Sequence, residues 1–431
     1  MTMLQLSSRS LRHRKFTIGL MIVSIAMSTM LLLGVERLRH QARNSFTNTI
    51  SGVDLVVGPR SGSVSLLLSS VFRIGSPLQN MSWESYEWIA GHPDVAWVVP
   101  LSIGDSLGEF KVVGTTEAYF EHYRYHSGRS LELKDGTRFL KVDDVVLGAD
   151  VARSGGVRVG EQVVLSHGTG EGSFVQHDDA PFIVSGILKP TGTPVDRTVH
   201  ITLGGMSALH ADVGAGGHSG HDHAHHDGHG HEHDPIAQAL KRVKAVEQPN
   251  ISACLVGMKQ RAQSLGLQRA INTSTREPLS AVLPGLALQE LWGTMALIER
   301  VLLVIALMVL AATLVGMLVA LLTGLNERRR EMAILRSVGA RPSHIVQLLM
   351  TEAGVVTLSG LLLGVVGLHC LLAVSSSLIQ ARVGVVIPVG LPTASEWALM
   401  GIILGSGIVV GIIPGIKSAR QALADGLRPQ V

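Results

Sequence analysis

Four long apolar runs, each free of charge over most of its length, set the organisation of the chain: Phe16 to Val35, Val301 to Leu325, a stretch within Ile345 to Leu378, and Trp397 to Ile416. About 20 such residues cover the hydrocarbon core of a bilayer as an α-helix, so each run predicts a membrane span. At about 1.5 Å per residue the second run exceeds a core of about 30 Å, which predicts a tilt or a projection beyond the membrane. Arg9, Arg12, Arg14 and Lys15 precede the first run. Arg328, Arg329, Arg330, Arg336 and Arg341 lie between the second and third, and Lys417, Arg420 and Arg428 follow the fourth. Basic residues favour the cytoplasmic side, so all three polar segments, with both termini, are expected in the cytosol. The first run is followed by Glu36 and Arg37 rather than a small-residue cleavage site and is read as retained. The resulting partition is a cytosolic segment 1–15, a span 16–35, a large external domain 36–300 with a flexible histidine-rich insert at 205–235, a span 301–325, a cytosolic stretch 326–344, a span 345–378, an external loop 379–396, a span 397–416 and a cytosolic tail 417–431.

Within the external domain the pattern changes to short β-branched runs separated by turn residues. Leu38 to Ile50 reads as a helical stalk continuing the first span. Val53 to Val57 reads as a strand, Ser82 to Ala90 as a helix capped by Ser82, and Val95 to Pro100 and Glu109 to Gly114 as strands. A similar order is expected near the far end, with Ile251 to Met258 as a strand, Lys259 to Leu265 as a helix and Gln268 to Thr273 as a second strand. The predicted fold class is therefore an α-helical four-span membrane protein with a large α+β domain between spans 1 and 2, in which two α/β units bracket a β-rich insert. Arg60 to Pro77 is apolar but too short to span. It is either a helix buried in the domain core or one lying on the outer leaflet or lining a dimer groove, and if exposed it would meet lipid-like cargo.

The polar stretch Asn326 to His344 carries its own pattern. From Glu327 to Val338 the apolar residues Met332, Ile334, Leu335 and Val338 cluster toward one helical face, and Gly339 and Pro342 supply a stop. A basic amphipathic helix beneath the membrane serves either to dock a cytosolic partner or to fix orientation against anionic lipid. Glu352 lies just inside the third span, where a carboxylate is costly and suggests function, the alternative being a position near the interface that reaches headgroups or the arginines of the stretch 326–344. Gly354, Gly360, Gly364 and Gly367 give the same span a small-residue face, suited to close packing against a second copy or within one subunit. His369 and Cys370 follow in the run without a ligand pattern around them.

The order ERRREMAILRSVGA resembles the signature of MacB/FtsX/LolC-type permeases, the type VII ATP-binding-cassette systems. Glu327, Arg328, Arg330, Glu331, Ile334, Leu335, Arg336, Gly339 and Ala340 fall on that signature. Gly148, Ala152, Gly160, Val184, Gly186, Pro190 and Gly192 are similar to the order found in the family's periplasmic insert, and Leu427, Arg428 and Pro429 to its closing motif. A Glu at the position of Glu352 also commonly follows the signature. The resemblance implies an inner-membrane permease with a MacB-like, porter-plus-insert periplasmic domain, working with a second permease copy. It also implies a separate cytosolic ATPase that binds ATP and contacts residues 327–339, and transmission of the ATPase's movement to the periplasmic side.

Composition narrows the remaining chemistry. The chain is 46% hydrophobic and 16% charged, with a formal net charge of +3 and no basic stripe interleaved with aromatics, which argues against nucleic acid as a partner. Its two cysteines, Cys254 and Cys370, give no disulfide framework. The sequence contains no G-x-x-x-x-G-K-[ST] and no H-E-x-x-H, so no P-loop and no metalloprotease motif; the chain reads as a transport subunit with no intrinsic cofactor rather than an enzyme. His218, His221, His223, His225, His226, His229, His231 and His233, interleaved with Asp222, Asp227, Glu232 and Asp234, form a candidate Zn2+ site. Imidazole is a good ligand for Zn, Cu and Ni, but the tract's many glycines mean that a site would form only on binding, which predicts modest affinity and selectivity. Its alternative reading is a disordered insert with incidental metal affinity, and its functional one a metal sensor, buffer or docking site for a periplasmic adaptor or metal-binding protein.

Overall fold

The computed structural model describes residues 15–75, 79–167, 181–215, 249–327, 334, 337, 339–383, 390 and 392–424. Two compact units emerge, one made of residues 43–293 and the other of residues 1–42 with 294–431.

The first unit is built on one mixed sheet. Its elements run β1 (Leu55–Pro59), α2 (Ser63–Ser70), α3 (Trp83–Ala90), β2 (Val95–Leu107), β3 (Phe110–Thr115), α4 (Ala118–His122), β4 (Arg124–Tyr125), β5 (Arg129–Ser130), β6 (Leu133–Gly136), β7 (Asp144–Leu147), α5 (Ala149–Gly155), β8 (Gln162–Val163), β9 (Ser166–His167), β10 (Phe182–Leu188), β11 (Thr198–Thr202), α6 (Leu203–Ala215), β12 (Ala253–Met258), α7 (Ser264–Asn272) and β13 (Leu279–Val282). The long strand β2 is the backbone of this unit. Its first half pairs antiparallel with β12 through Val95 to Leu101, and its second half pairs antiparallel with β3 from Ser102 to Leu107, with a register shift between Ile103 and Ser106. The strand order is β13-β1-β12-β2-β3-β11-β7-β10-β6, so β2 joins an α/β half at one end to a β-rich half at the other. In the β-rich half, β3 pairs parallel with β11 and β7 with β10. Parallel pairs require crossover connections, and α5 supplies one between β7 and β10.

Alternation along the strands sorts side chains into separate cores. On β1, Leu55 and Val57 join Ile89, Cys254, Val256, Leu267 and Ile271 under α3 and α7, while Val56 joins Leu66, Leu67, Val99 and Leu255 on the opposite face. Both faces of the α/β half are therefore covered, which explains why β1 and β12 are apolar at nearly every position. The apolar stretch at Arg60 to Pro77 resolves toward the core: α2 buries Leu66 and Leu67, and Val71 and Phe72 follow them inward. Ser82 caps α3 by accepting from the Ser85 amide.

Two sequence expectations are corrected here. Gln268 to Thr273 is not a strand. Leu267 and Ile271, four residues apart, bury the same face of α7 against the sheet, and the second strand of this repeat is β13, ten residues or so further on. The flexible insert expected from residue 205 does not begin there either, because residues 203–215 form α6, whose Met206 and Leu209 are buried in the β-rich core. The part of that insert at residues 216–235, with all eight histidines, lies outside the described residues.

The second unit contains the helices long and apolar enough to cross a membrane. Candidate spans are Lys15–Gln41 in α1 (Lys15–Thr49), Pro284–Leu325 in α8 (Pro284–Glu327), Pro342–Ser375 in α9 (Pro342–Val383) and Ala394–Ser418 in α10 (Ala394–Ala424). The helix of the second span starts well before Val301, because Glu290, Glu299 and Arg300 interrupt the hydropathy without interrupting the helix.

Candidate functional site

Glycines set how the helices of the second unit pack. A Cβ added to Gly360 of α9 would lie 2.7 Å from the Ile25 side chain, and one on Gly364 would lie 2.7 Å from the Ala26 carbonyl, so these two glycines let α9 lie directly on α1. On α10, Cβ atoms at Gly407, Gly411 and Gly415 would meet Thr357, Ala353 and Val346 of α9 at 2.1, 2.8 and 3.0 Å. The third span is thus held between the first and fourth by small residues four apart, as expected where helices associate without a hydrophobic driving force. The small-residue face anticipated on this span packs, at Gly360 and Gly364, within the subunit. The second span joins through Ala306, Leu310 and Met317 and by a hydrogen bond of 2.7 Å between the Ser28 and Thr313 hydroxyls. It is the least enclosed of the four.

Glu352 lies on α9 and is 4% exposed, beside Ala353 and Val356, which are buried against Ile25 and Met317. Its side chain is enclosed by its neighbours. Of the stretch 326–344, the structure describes the end of α8 at Glu327, helical backbone at Ile334 and Ser337 with both side chains exposed, and Gly339 at φ +97°. Gly339 adopts the left-handed conformation common just past a helix end. Pro342 then opens α9, where the fixed φ of proline suits a first turn, and the Arg341 amide donates to His344 Nδ1 at 3.2 Å. Arg328, Arg330, Glu331, Leu335 and Arg336 lie outside the described residues.

A polar cluster that the hydropathy pattern does not reveal sits where α1 leaves the bundle. Arg37 is 8% exposed and reaches three segments. Its Nη2 donates to the Gly390 carbonyl at 2.6 Å, its Nη1 donates to His369 Nε2 at 3.5 Å, and its Nε faces Glu396 Oε1 at 3.4 Å as an ion pair. His369 Nδ1 lies 2.9 Å from the Val365 carbonyl and its Nε2 3.5 Å from the Gly390 carbonyl; the tautomer protonated at Nδ1 is the one in which Nε2 accepts from Arg37. Glu396 is 3% exposed; its other oxygen accepts the Thr393 amide at 2.9 Å, and its own amide donates back to the Thr393 hydroxyl at 3.4 Å. This reciprocal pair is a capping box at the start of α10. The neighbouring Glu36 carboxylate hydrogen-bonds Ser395 and accepts from Arg39 at 2.9 Å. Charged residues at the ends of two different runs are the available sequence signal, but nothing in the sequence pairs them.

Two buried groups of the α/β unit, Cys254 and His200, are held in their neutral forms. Burial pushes the Cys254 thiol up to about 12, so it stays protonated and unreactive. Burial, with Arg73 nearby, lowers the pKa of His200 to about 3 despite its contact with the Val146 carbonyl, so the imidazole is neutral. Among the described residues no group of three or more His, Cys, Asp or Glu side chains is arranged to hold a metal ion.

Comparison with known families adds to this geometry. The family model described as "FtsX-like permease C-terminal" matches residues 303–423, and the one described as "MacB-like periplasmic core domain" matches residues 16–221. The chain belongs to the MacB/FtsX-type permeases. The first match takes in three of the candidate spans, the stretch 326–344 and Glu352; the second takes in the first span and most of the sheet. Permeases of this type are membrane subunits of ATP-binding-cassette systems, are not themselves the hydrolase and imply a cytosolic ATPase partner. Four apolar helices and a MacB-like domain fit a multi-pass protein of the inner membrane. Among solved structures, the periplasmic region of MacB from Actinobacillus actinomycetemcomitans is 13% identical, covering 56% of this chain and 94% of that one, at a TM-score of 0.34. The extracellular domain of the noncanonic ABC-type transporter YknZ from Gram-positive bacteria is also 13% identical, covering 53% and 98%, at a TM-score of 0.29. Both overlaps are too loose to carry an argument about this permease. No curated protein matches it.

Proposed function

We propose that this permease converts nucleotide-driven movement of a separate cytosolic ATPase, docked on residues 326–344, into movement of the α/β domain on the far side of the membrane. The cargo handled there is one already in the periplasm or outer leaflet, or the domain activates a periplasmic partner. The observation that carries this reading is the helix α8. It is continuous from Pro284, which immediately follows the strands of the α/β unit, to Glu327 in the basic stretch. At about 1.5 Å per residue such a helix is roughly twice as long as the hydrocarbon core is thick, so it extends well beyond the bilayer. The helix α1 is likewise unbroken from Lys15 to Thr49. Helices without a break transmit displacement, whereas flexible linkers absorb it. A second permease copy completes the assembly in this reading, with the exposed apolar residues Val301, Leu302, Val304 and Ile305 of α8 available to meet it or lipid.

Arg328, Arg330 and Arg336 face the ATPase in this account, with Glu327, Glu331, Ile334 and Leu335 completing the contact and Gly339 ending it. Reversing charge at Arg330→Glu with Arg336→Glu abolishes permease-dependent stimulation of ATP hydrolysis in reconstituted complexes while membrane insertion is retained. Unchanged stimulation refutes the docking assignment.

A second reading concerns metal. Eight histidines from His218 to His233, interleaved with four acidic residues, form a dense set of donors for Zn2+. We propose that this tract links the permease to zinc handling, as a sensor or as a docking site for a metal-binding partner. Deleting residues 216–234 then alters growth under chelation or in excess zinc. Identical growth under both conditions removes the metal role and leaves the ATP-driven one intact.

A further inference from the structure

The second unit has three helices interlocked by glycines and one polar cluster where α1 leaves the bundle. The helix α9 begins directly after the basic stretch, at Pro342, and lies against α1 at Gly360 and Gly364 and against α10 at Gly407, Gly411 and Gly415. Neither α9 nor α10 continues into the α/β unit; only α1 and α8 do, by chain connectivity. Any displacement of α9 and α10 therefore has to pass by side-chain contact to a helix that does continue. Toward the polar cluster the contacts from α9 to α1 become ordinary, with Gly34 3.5 Å from Leu368 and Gly367 3.6 Å from Met30 for an added Cβ. Apolar contacts of this kind slide at little cost. Directed polar contacts between desolvated groups do not, because breaking one strands a buried charge.

We infer that Arg37 is the joint that makes the end of α1 beyond the Gly360 and Gly364 contacts follow α9 and α10, and so hands their displacement to the helical extension of the first span. This rests on the ATP-driven reading above. The planar guanidinium has five N–H donors in a fixed fork; here it hydrogen-bonds His369 on α9 and the Gly390 carbonyl between the two helices, and its Nε forms an ion pair, without a hydrogen bond, with Glu396 at the capped start of α10. Glu36, one residue earlier, adds a bond to Ser395. A pair that merely filled a polar gap would need one partner on one neighbour. This cluster instead ties α9, Gly390 and the start of α10 to one turn of α1. Arg37 and Glu396 are 8% and 3% exposed, so the contacts are shielded from solvent screening. Arg37 is a positioning residue in this account, acting through the helices it ties together.

The test uses the full permease assembled with its ATPase in lipid nanodiscs, on a Cys370→Ser background, with spin labels at Leu38→Cys and Leu297→Cys. Both label positions are exposed, on α1 and α8 respectively. The label distance is measured without nucleotide and with a non-hydrolysable ATP analogue. The paired variant Arg37→Met with Glu396→Met removes the joint and leaves no unpaired buried charge; buried ion pairs replaced in this way often keep or gain stability. The expected result is that the nucleotide-dependent distance change shrinks at least about twofold, while size-exclusion elution, ATPase binding and the basal ATP hydrolysis rate stay those of the parent. A full-sized change in the correctly assembled paired variant overturns the inference and leaves the ATP-driven reading standing. Absence of any change in the parent complex overturns that reading, and the joint with it. If the paired variant fails to assemble, Arg37→Lys carries the same test, since it keeps a positive charge opposite Glu396 but loses the fork.

Discussion

At the scale of single residues, burial decides what each titratable group can do. His200 is fully enclosed between β3 and β7 and packs its ring 5.2 Å from Tyr119. Its pKa falls from 6.5 to about 3 on folding. The unfolded chain therefore binds the proton more readily, so this group contributes stability that is present above pH 6.5 and is lost as pH falls toward 3. The α/β domain is expected to lose stability across that window with a slope approaching about 1.4 kcal/mol per pH unit from this residue alone. Four of the five tryptophans, Trp83, Trp88, Trp97 and Trp292, lie in this unit, so urea unfolding followed by tryptophan fluorescence measures it. In His200→Leu the slope is expected to flatten, whatever happens to the absolute stability. An unchanged slope assigns the acid sensitivity elsewhere. None of this is legible in the sequence, where His200 stands in a short β-branched run and looks like any strand residue.

At the scale of elements, glycine separates tight from loose helix contacts. A valine at Gly364 would place its Cβ 2.7 Å from the Ala26 carbonyl and 2.8 Å from the Thr29 Cβ, neither of which is the far end of a flexible chain. Gly364→Val is expected to destabilise the bundle by about 1–3 kcal/mol, read as a lowered melting temperature in detergent. Gly354→Ala and Gly367→Ala, whose Cβ atoms would find ordinary contacts at 3.4 and 3.6 Å, are expected to melt within a degree or two of the parent. Equal melting of all three would show that α9 and α1 are not packed as described. The spans are legible in the sequence because a charge-free run of that length is too long for the core of a soluble domain and suits a helix crossing lipid. The ends of their helices are not, since hydropathy stops at Arg300 while the backbone hydrogen bonds of α8 start at Pro284. The helix α7 escapes a reading by strand pattern because Gln268 to Thr273 holds a single large apolar residue, Ile271, and only pairing it with Leu267 at helical spacing reveals the buried face. Arg37, His369 and Glu396 cannot be grouped from sequence at all: Arg37 and His369 are 332 positions apart and meet only through packing.

At the scale of the whole molecule, the account requires the basic stretch and the α/β unit to be on opposite sides of the membrane, joined by the helices that cross it. The charge bias of the sequence predicts this arrangement, and the family predicts its purpose. The arginine stretch is legible from the order of its residues alone, whereas the proposed contacts of Arg330 and Arg336 are with another polypeptide and are to be read from the complex. The measurement that bears most directly on this requirement is labelling of intact cells with a membrane-impermeant thiol reagent, using a Cys370→Ser background with one cysteine at Ser337 or at Leu140. Both positions are exposed, and the native Cys254 is buried and protonated. The account predicts that Leu140→Cys is labelled from outside and that Ser337→Cys is labelled only after the membrane is opened. Labelling of both from the same side would contradict it.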